Sequence, residues 1–166
     1  MAVLRFRVPV GAAHRSVACE GFEITDAQWP RDQAAVEALV EACRADGGHE
    51  RGGFAPTAQG LLPAAGPLRS VHHWLAWPVV AGERPNSVVG LVSLVITRCQ
   101  PAARFSIAGL LVHPSARRRG VATALVARAI EESQLRNAAA VHAETLARWT
   151  AAAAFWHRIA VGPDAG

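Results

Sequence analysis

The residues best suited to binding chemistry form a basic turn of three arginines and a glycine, Arg117, Arg118, Arg119 and Gly120. A short apolar run at residues 107–112 precedes this turn and stops before Pro114, because a prolyl ring has no N–H to give to a β-ladder. Beyond the turn, small and apolar residues recur at helical spacing. They predict a helix with one apolar stripe, made by Ala122, Leu125, Val126, Ala129, Ile130 and Ser133.

The basic turn is therefore predicted to lie at the N-terminus of a helix. The first backbone N–H groups of a helix have no intrahelical partner, and the helix dipole is positive at that end. An anion can be held there mostly by main chain, and the planar guanidinium groups of arginine suit phosphate oxygens. We predict a phosphate-binding turn; the alternative is a solvated basic turn before an ordinary core helix.

The same residues resemble the signature of the GCN5-related N-acetyltransferase superfamily, Q/R-x-x-G-x-G/A, which lies between the family's fourth strand and third helix. In this chain the signature reads Arg117-Arg118-Arg119-Gly120-Val121-Ala122. The preceding Val112-His113-Pro114 and the following Leu125-Val126 make the match more specific than the six residues alone.

The resemblance implies transfer of an acyl group, usually acetyl, from coenzyme A to an amine. The cofactor is expected between the family's fourth and fifth strands, where Leu111 and Val112 would bind its pantetheine through main chain. The pyrophosphate would be held by Arg117, Arg118, Arg119, Gly120, Val121, Ala122 and Thr123. A backbone N–H near Leu110 or Leu111, with Leu111 as our assignment, would stabilise the negative charge that develops on the thioester oxygen.

The chain departs from the family where an acid is expected. Family members often carry a tyrosine in an F-Y pair on the last helix, and the matching pair here is Phe155-Trp156. The chain contains no tyrosine, and an indole N–H is a donor but a very weak acid. Trp149 stands where an asparagine is often found. The leaving thiolate therefore has no assigned protein acid.

The general base is also unassigned by the family pattern, because Ser106 and Gly109 stand where glutamate sometimes occurs. Glu144 and His142 alternate onto one face of the predicted fifth strand and are the best remaining catalytic pair. The alternative for both is a solvated strand end. Two further histidines could also line a pocket, His72 and His73.

Composition limits the classes of chemistry. All 17 basic residues of the 166 are arginine, which excludes a Walker A lysine, a Schiff-base lysine and a lysine general base. Residues 85–166 hold 9 arginines and 4 acids, whereas residues 1–84 hold 8 arginines and 9 acids. The half with the basic turn thus favours a polyanionic partner, which fits both coenzyme A and nucleic acid.

The cysteines indicate neither a disulfide framework nor a zinc site, because Cys19, Cys43 and Cys99 are odd in number and widely spaced. We predict no metal and a cytoplasmic location. The longest apolar run, residues 88–96, is too short to span a bilayer, so no membrane partner is expected.

The order of elements matches that of the family, and the resemblance implies an α/β (α+β) fold with a mixed, mostly antiparallel central sheet flanked by helices. The family's fourth strand, third helix and fifth strand form its parallel unit. Residues 1–166 are interpreted as one acetyltransferase-like domain, with residues 1–19 as an extension holding a possible extra strand at 3–8. The other predicted elements are strands at 21–25, 71–81, 87–98, 107–112 and 139–145, and helices opening at 29–30, at the turn and near 149.

The end of the chain is expected to be short for the family, whose members continue with one or two antiparallel strands after the last helix. Only seven residues follow Ile159. Either the sheet ends early, or residues 3–8 fill the place, or a second chain completes the edge. An uncovered strand edge invites association, which favours a homodimer.

Taken together, the sequence predicts an acetyl-CoA-dependent N-acetyltransferase that acts on a primary amine, of a small molecule or a protein, by direct attack. The alternative is a coenzyme A-binding or regulatory module on the same fold without useful catalysis. Nucleic-acid binding through the arginine-rich turn is less favoured, because Glu131 and Glu132 lie on the helix that follows and would repel phosphate.

Overall fold

The strands of the protein form one six-stranded sheet in the order β1-β6-β5-β4-β3-β2. The computed structural model describes residues 2–10, 19–46, 68–80, 85–99 and 101–160. The strands are β1 (Val3–Pro9), β2 (Phe22–Asp26), β3 (Arg69–Pro78), β4 (Gly90–Thr97), β5 (Arg104–Val112) and β6 (Ala140–Leu146). The helices are α1 (Gln33–Ala45), α2 (Val121–Leu135) and α3 (Thr150–Ile159), with a 3-10 turn at Pro114–Ala116.

The pairing confirms the predicted mixed sheet. The sheet contains five pairs of neighbouring strands. Four pairs are antiparallel, and β5 and β6, which are connected in the chain by α2, run parallel. In the family's numbering β5 and β6 are the fourth and fifth strands, and α2 is the third helix. The predicted hairpin is the pair β3 and β4, and β4 is buried on both faces, as expected of a central strand.

Most strand ends differ from the predictions by one to three residues, and two differences at the starts of elements have an identifiable cause. α1 begins at Gln33, three residues beyond Pro30, because the carboxylate of Asp32 accepts the N–H of Gln28 at 2.8 Å and closes a turn before the helix starts. β5 begins at Arg104, earlier than predicted, because residues 104–106 pair with the end of β4. The sequence also predicts a long loop at 47–69 and a turn-rich link at 82–86, of which residues 47–67 and 82–84 lie outside the described residues.

The two faces of the sheet are covered by different helices. α2 and α3 pack on one face, where Phe6, Trp74, Leu94, Ile107 and Val141 are buried beneath them. α1 packs on the other face, where it covers Leu75, Leu91 and Leu111. Because side chains alternate along a strand, this assignment fixes the face of every other strand residue. We call the side covered by α1 the α1 face.

β1 forms the edge of the sheet beside β6, the edge for which the sequence left three arrangements open. It lies antiparallel to β6 over its whole length, from Val3 opposite Leu146 to Pro9 opposite Ala140. Residues 3–8 therefore take the place beside β6, the second of the three predicted arrangements. This pairing covers the edge of β6, so an exposed β6 edge no longer argues for a homodimer. The homodimer stays a prediction. No helix in the described ranges has the length and apolar character needed to cross a membrane.

The close approach of α2 to the sheet depends on Gly90. A Cβ at this position would lie 2.8 Å from both Leu125 Cδ1 and Val121 Cγ1, and 3.3 Å from Ala76 Cβ. We expect Gly90→Ala to lower the free energy of unfolding by about 1–3 kcal/mol, the usual cost of overpacking a core. Urea unfolding of the variant would measure this loss.

A double-mutant cycle with Val121→Ala supplies the control. Removing the Val121 methyl groups takes away one of the two closest contacts, so Gly90→Ala should destabilise the Val121→Ala background less than the wild type. Equal losses in both backgrounds would show that α2 does not limit the size of residue 90.

Candidate active site

A gap opens in the sheet where β5 and β6 part. The two strands pair only at Ser106 with His142 and at Ile107 with Ala143, although both strands are described throughout. Just beyond, the register with β4 slips, so that Ala108 and Gly109 together stand opposite Ser93. Gly109 has a φ of 98°, a left-handed conformation that favours glycine. The bulge therefore lies at the start of the gap.

The bulge decides which backbone groups of β5 face the gap. The N–H of His113 donates to the carbonyl of Val89 at 2.8 Å, and Leu111 is the partner of Leu91 in the same register. The backbone N–H groups of residues two apart on a strand point to the same neighbouring strand, so the N–H of Leu111, like that of His113, faces β4. The N–H groups of Leu110 and Val112 face the gap instead. The oxyanion role predicted for Leu111 is thus geometrically better placed on Leu110.

The basic turn ends the gap at the N-terminus of α2. Arg118 has a φ of 64° and Gly120 a φ of 84°, and Gly120 is the N-cap of α2 without any side-chain cap. In the described part of the chain, no acceptor is bonded to the backbone N–H groups of residues 118–123. Together with the helix dipole, these groups form a place where an anion would be held by main chain.

The three arginine side chains of the turn are not equivalent. Arg117 is ion-paired with Asp46 at the end of α1, and its Nε donates to the carbonyl of Val112 at 3.2 Å. The guanidinium of Arg119 lies 4.5 Å from the centre of the Phe22 ring. Within the described residues Arg118 makes no such contact, so its guanidinium is the one best placed to turn toward a bound anion.

The two predicted catalytic side chains both lie on the α1 face of β6. Glu144 is exposed and forms an ion pair with Arg5 of β1 at 3.1 Å. His142 is half-buried and lines a cavity whose wall also includes Arg7 and Arg104. The strand alternation predicted from the sequence thus holds, but the two residues have different surroundings.

Trp156, at the position of the family's usual tyrosine, belongs to the core. It is 4% exposed, and its ring stacks on Phe6 of β1 with 6.4 Å between ring centres. Its partner in the matching pair, Phe155, contacts it edge to face. Trp156 therefore supports the packing of α3 on the sheet, and Trp149 is the N-cap of that helix.

His73, one of the two further histidines considered above, pairs with a serine beside the bulge, a pair that the sequence did not predict. His73 and Ser93 are partners across β3 and β4, on the α1 face, with 2.8 Å between His73 Nδ1 and Ser93 Oγ. Ser93 is fully buried, and it is the residue opposite Gly109 in the bulge. The ring edge of Trp29 also packs against His73, with 6.0 Å between ring centres.

The environment of His73 keeps its imidazole neutral. Burial, with a smaller effect from the neighbouring His72, lowers the pKa of His73 to about 4. In the tautomer whose Nδ1–H donates to Ser93 Oγ, the neutral imidazole offers Nε2 as a proton acceptor. One sequence signal pointed here: Ser93 is a polar residue in the middle of the otherwise apolar strand Gly90–Thr97.

The remaining histidines in this region have other surroundings. His72 lies on the opposite face, where its ring stacks on Trp74. His113 caps the 3-10 turn by accepting the N–H of Ser115 at 3.2 Å, as expected of a turn residue. Across the described ranges no three His, Cys, Asp or Glu residues gather where they could hold a metal ion.

Solved structures with this fold include several acetyltransferases. The GCN5-related glucosamine N-acetyltransferase region of a fungal multi-domain β-N-acetylglucosaminidase matches 82% of the chain at 18% identity and a TM-score of 0.63, but only 16% of that protein is covered. A predicted acetyltransferase with acetyl-CoA from Clostridium acetobutylicum matches 74% of the chain and 79% of its own length, at 16% identity and a TM-score of 0.52. A GNAT-family structure from Novosphingobium aromaticivorans matches 96% of the chain and 60% of its own length, at 15% identity and a TM-score of 0.58.

Similarity at these identities shows the fold, and the family rests on a match along the sequence. The model of the acetyltransferase (GNAT) family matches residues 63–160, which is more than half of the chain. This range contains β3 to α3, with the bulge, the gap and the basic turn between them. Its members are acetyltransferases, so family and fold support acyl transfer in general. The chain belongs to the acetyltransferase (GNAT) family.

Proposed function

We propose that the protein transfers acetyl from acetyl-CoA to a primary amine, of a small molecule or of a protein, by direct attack of the amine on the thioester. The observation that carries this proposal is the gap between β5 and β6. It combines the N–H groups of Leu110 and Val112, which face away from β4, with the N–H groups of residues 118–123 at a helix N-terminus, which have no acceptor among the described residues. An extended cofactor with amides at one end and a pyrophosphate at the other fits such a gap.

Cofactor binding is assigned to main chain more than to side chains. The backbone of Leu110 and Val112 faces the gap and suits the amides of pantetheine, in place of the predicted pair Leu111 and Val112. The N–H groups of residues 118–123 suit the pyrophosphate. The guanidinium of Arg118 adds charge there, while Arg117 and Arg119 mainly shape the turn through their contacts with Asp46 and Phe22.

The chemical step needs a donor for the developing negative charge and an acceptor for the amine proton. The N–H of Leu110, at the start of the gap, supplies the donor. We assign the proton acceptor to His73, with Ser93 as the residue that positions its ring. Glu144 and His142 stay as the alternatives, because both lie on the same face of the sheet and Glu144 follows the point where β6 leaves β5.

We assign protonation of the leaving coenzyme A thiolate to water. The chain has no tyrosine, and the indole of Trp156 is buried against Phe6. A general acid on α3 is therefore not part of the proposal. The predicted cytoplasmic location and the homodimer also remain predictions.

The test is saturable release of coenzyme A from acetyl-CoA in the presence of amines, together with calorimetry of acetyl-CoA binding. We expect micromolar to submillimolar binding and release that depends on the amine, as in most enzymes. Absence of acetyl-CoA binding would overturn the proposal.

A second candidate is a coenzyme A-binding or regulatory module without useful catalysis. The observation that favours it is the place of Trp156 in the core, which leaves α3 without an acid. Acetyl-CoA binding with no turnover across a broad panel of amines would select this second function.

A further inference from the structure

A cavity of about 480 Å³ lies where β5 and β6 begin, and the charged side chains among its described lining residues are all basic. Its wall includes Arg7 of β1, Arg104 of β5, His142 of β6 and Arg136 in the loop after α2. No carboxylate is found among the described residues that line it. A concave site with three arginines, one histidine and no acid favours an anion.

The charges of Arg7 and Arg104 are not compensated within the described residues. Arg136 is paired with Glu132 at 2.8 Å, so its charge is largely neutralised. Two residues before Arg7 on the same face, Arg5 is paired with Glu144 opposite it on β6. Arg7 stands opposite His142 instead, and neither Arg7 nor Arg104 has an ion pair in the described structure. Their guanidinium groups therefore remain available for a ligand.

The cavity is lined by the same two strands, β5 and β6, that enclose the gap proposed to hold the thioester. Arg104 and Ser106 of β5 and His142 of β6 share the α1 face with Ser93 and Glu144, because their neighbours are buried under α2. Ser106 and His142 form the last pair but one before the strands part. Because of the bulge, the stretch from Ser106 to Leu110 spans only three residues of β4, from Val95 to Val92, or about 10 Å at 3.3 Å per residue. From Arg104, opposite Thr97, the span to Leu110 is five residues of β4, or about 17 Å.

We propose that this arginine pocket, defined by Arg7, Arg104 and His142, binds an anionic group of the amine acceptor, a phosphate or a carboxylate. The acceptor carries its amine roughly 10–17 Å from that anion, the distance along β5 from the level of His142 and Arg104 to the backbone N–H of Leu110. The inference rests on the proposed function, because it takes the gap between β5 and β6 as the place of transfer. It adds to that function the charge and the approximate length of the substrate.

The first test measures the pocket without turnover. The full chain is titrated with inorganic phosphate at constant ionic strength, and NMR signals of residues 138–142 and of the Arg7 and Arg104 side chains are followed. We expect saturable shifts at these residues, lost in the Arg7→Gln/Arg104→Gln double variant and kept in Arg98→Gln. Arg98 is exposed and does not line the pocket, so it controls for general loss of charge. Absence of shifts in the wild type overturns the pocket.

The second test asks whether the anion belongs to the acceptor. Aminoalkyl alcohols of increasing length are compared with their phosphate monoesters as acceptors of acetyl from acetyl-CoA. We expect the phosphate ester to be favoured about tenfold or more in kcat/KM at the matching length, as for a charge-assisted contact. In the double variant this preference should fall below about twofold, whereas in the control variant Arg98→Gln it should be kept.

The two tests separate the possible failures. Phosphate shifts in the pocket without any preference among acceptors would overturn its assignment to the acceptor and indicate a separate anion. A preference that persists in the double variant would overturn the role of Arg7 and Arg104. If no amine is acetylated at all, the proposed function fails, while the phosphate titration still decides whether the pocket binds an anion.

Discussion

A Gly120→Glu variant is expected to lose acetyl-CoA binding, with Kd raised by about 100-fold or more. Gly120 is the N-cap of α2, in a left-handed conformation with a φ of 84°. A carboxylate at this point would occupy the N–H groups proposed for the pyrophosphate and repel its charge. Two like charges about 4 Å apart near a protein surface repel by about 4 kcal/mol, which is enough for this loss. Isothermal calorimetry with acetyl-CoA measures it.

Gly120→Gln is the matched control, because it has nearly the same size and the same backbone strain without the charge. A non-glycine residue in this conformation costs about 1–2 kcal/mol, and a new Cβ would lie 3.5 Å from Cys19 Sγ. We expect the Gln variant to bind acetyl-CoA at least about tenfold more tightly than the Glu variant, a difference of about 1.4 kcal/mol. If wild type and Gly120→Glu bind equally, the pyrophosphate is not held at this turn.

A His73→Gln variant is expected to keep its affinity for acetyl-CoA and to lose about 100-fold or more in kcat. General base catalysis by a positioned side chain contributes on this scale. Glutamine fills similar space and can still bond to Ser93, but it cannot accept a proton. Steady-state kinetics gives the loss, and calorimetry shows whether acetyl-CoA binding is retained.

His72→Gln controls for the loss of a histidine on the same strand, because His72 lies on the opposite face against Trp74. We expect its kcat to stay within about twofold of wild type, since its ring lies on the other face of the sheet from His73. Glu144→Gln and His142→Gln complete the set. Wild-type activity in His73→Gln together with an inactive Glu144→Gln would move the proton acceptor to β6.

The pH dependence of protein stability tests the protonation state of His73 without measuring catalysis. Its pKa is about 4 in the folded protein and near 6.5 in an unfolded chain, so the unfolded state binds more protons between these values. Stability contributed by neutral His73 is present above pH 6.5 and is lost as the pH falls toward 4. Thermal unfolding at pH 4.5 and 7.5 should therefore show a larger drop in Tm for the wild type than for His73→Gln. Equal drops would show that burial does not hold His73 neutral.

Much of the fold is readable in the sequence because its signals are local. The apolar stripe after Gly120 marks α2, Pro114 marks the end of β5, and the alternation at residues 3–8 marks β1. The signature of the basic turn names the family for the same reason, since all its residues lie within one turn. Hydrophobic periodicity and turn chemistry act over a few residues, which a single sequence displays directly.

The parts of the site that escaped prediction depend on contacts between distant residues. A bulge of one residue at Ala108–Gly109 reverses which backbone groups of β5 face the gap, and no periodicity distinguishes Leu110 from Leu111 before that bulge is known. The pair of His73 and Ser93 exists only in the register of β3 with β4. The arginines of the turn look alike in sequence, but Asp46 and Phe22 reach them from other elements.

The pairing of β1 with β6 also sets the order in which the sheet can be completed. Arg5 and Glu144, which face each other across these strands, are 139 residues apart in the chain. During synthesis β1 emerges early and has no strand to pair with until nearly all of the domain has left the ribosome. Contacts at such separation are slow to form, and an unpaired strand is prone to association meanwhile. Completion of the sheet is therefore expected to be a late step in the folding of this member of the acetyltransferase family.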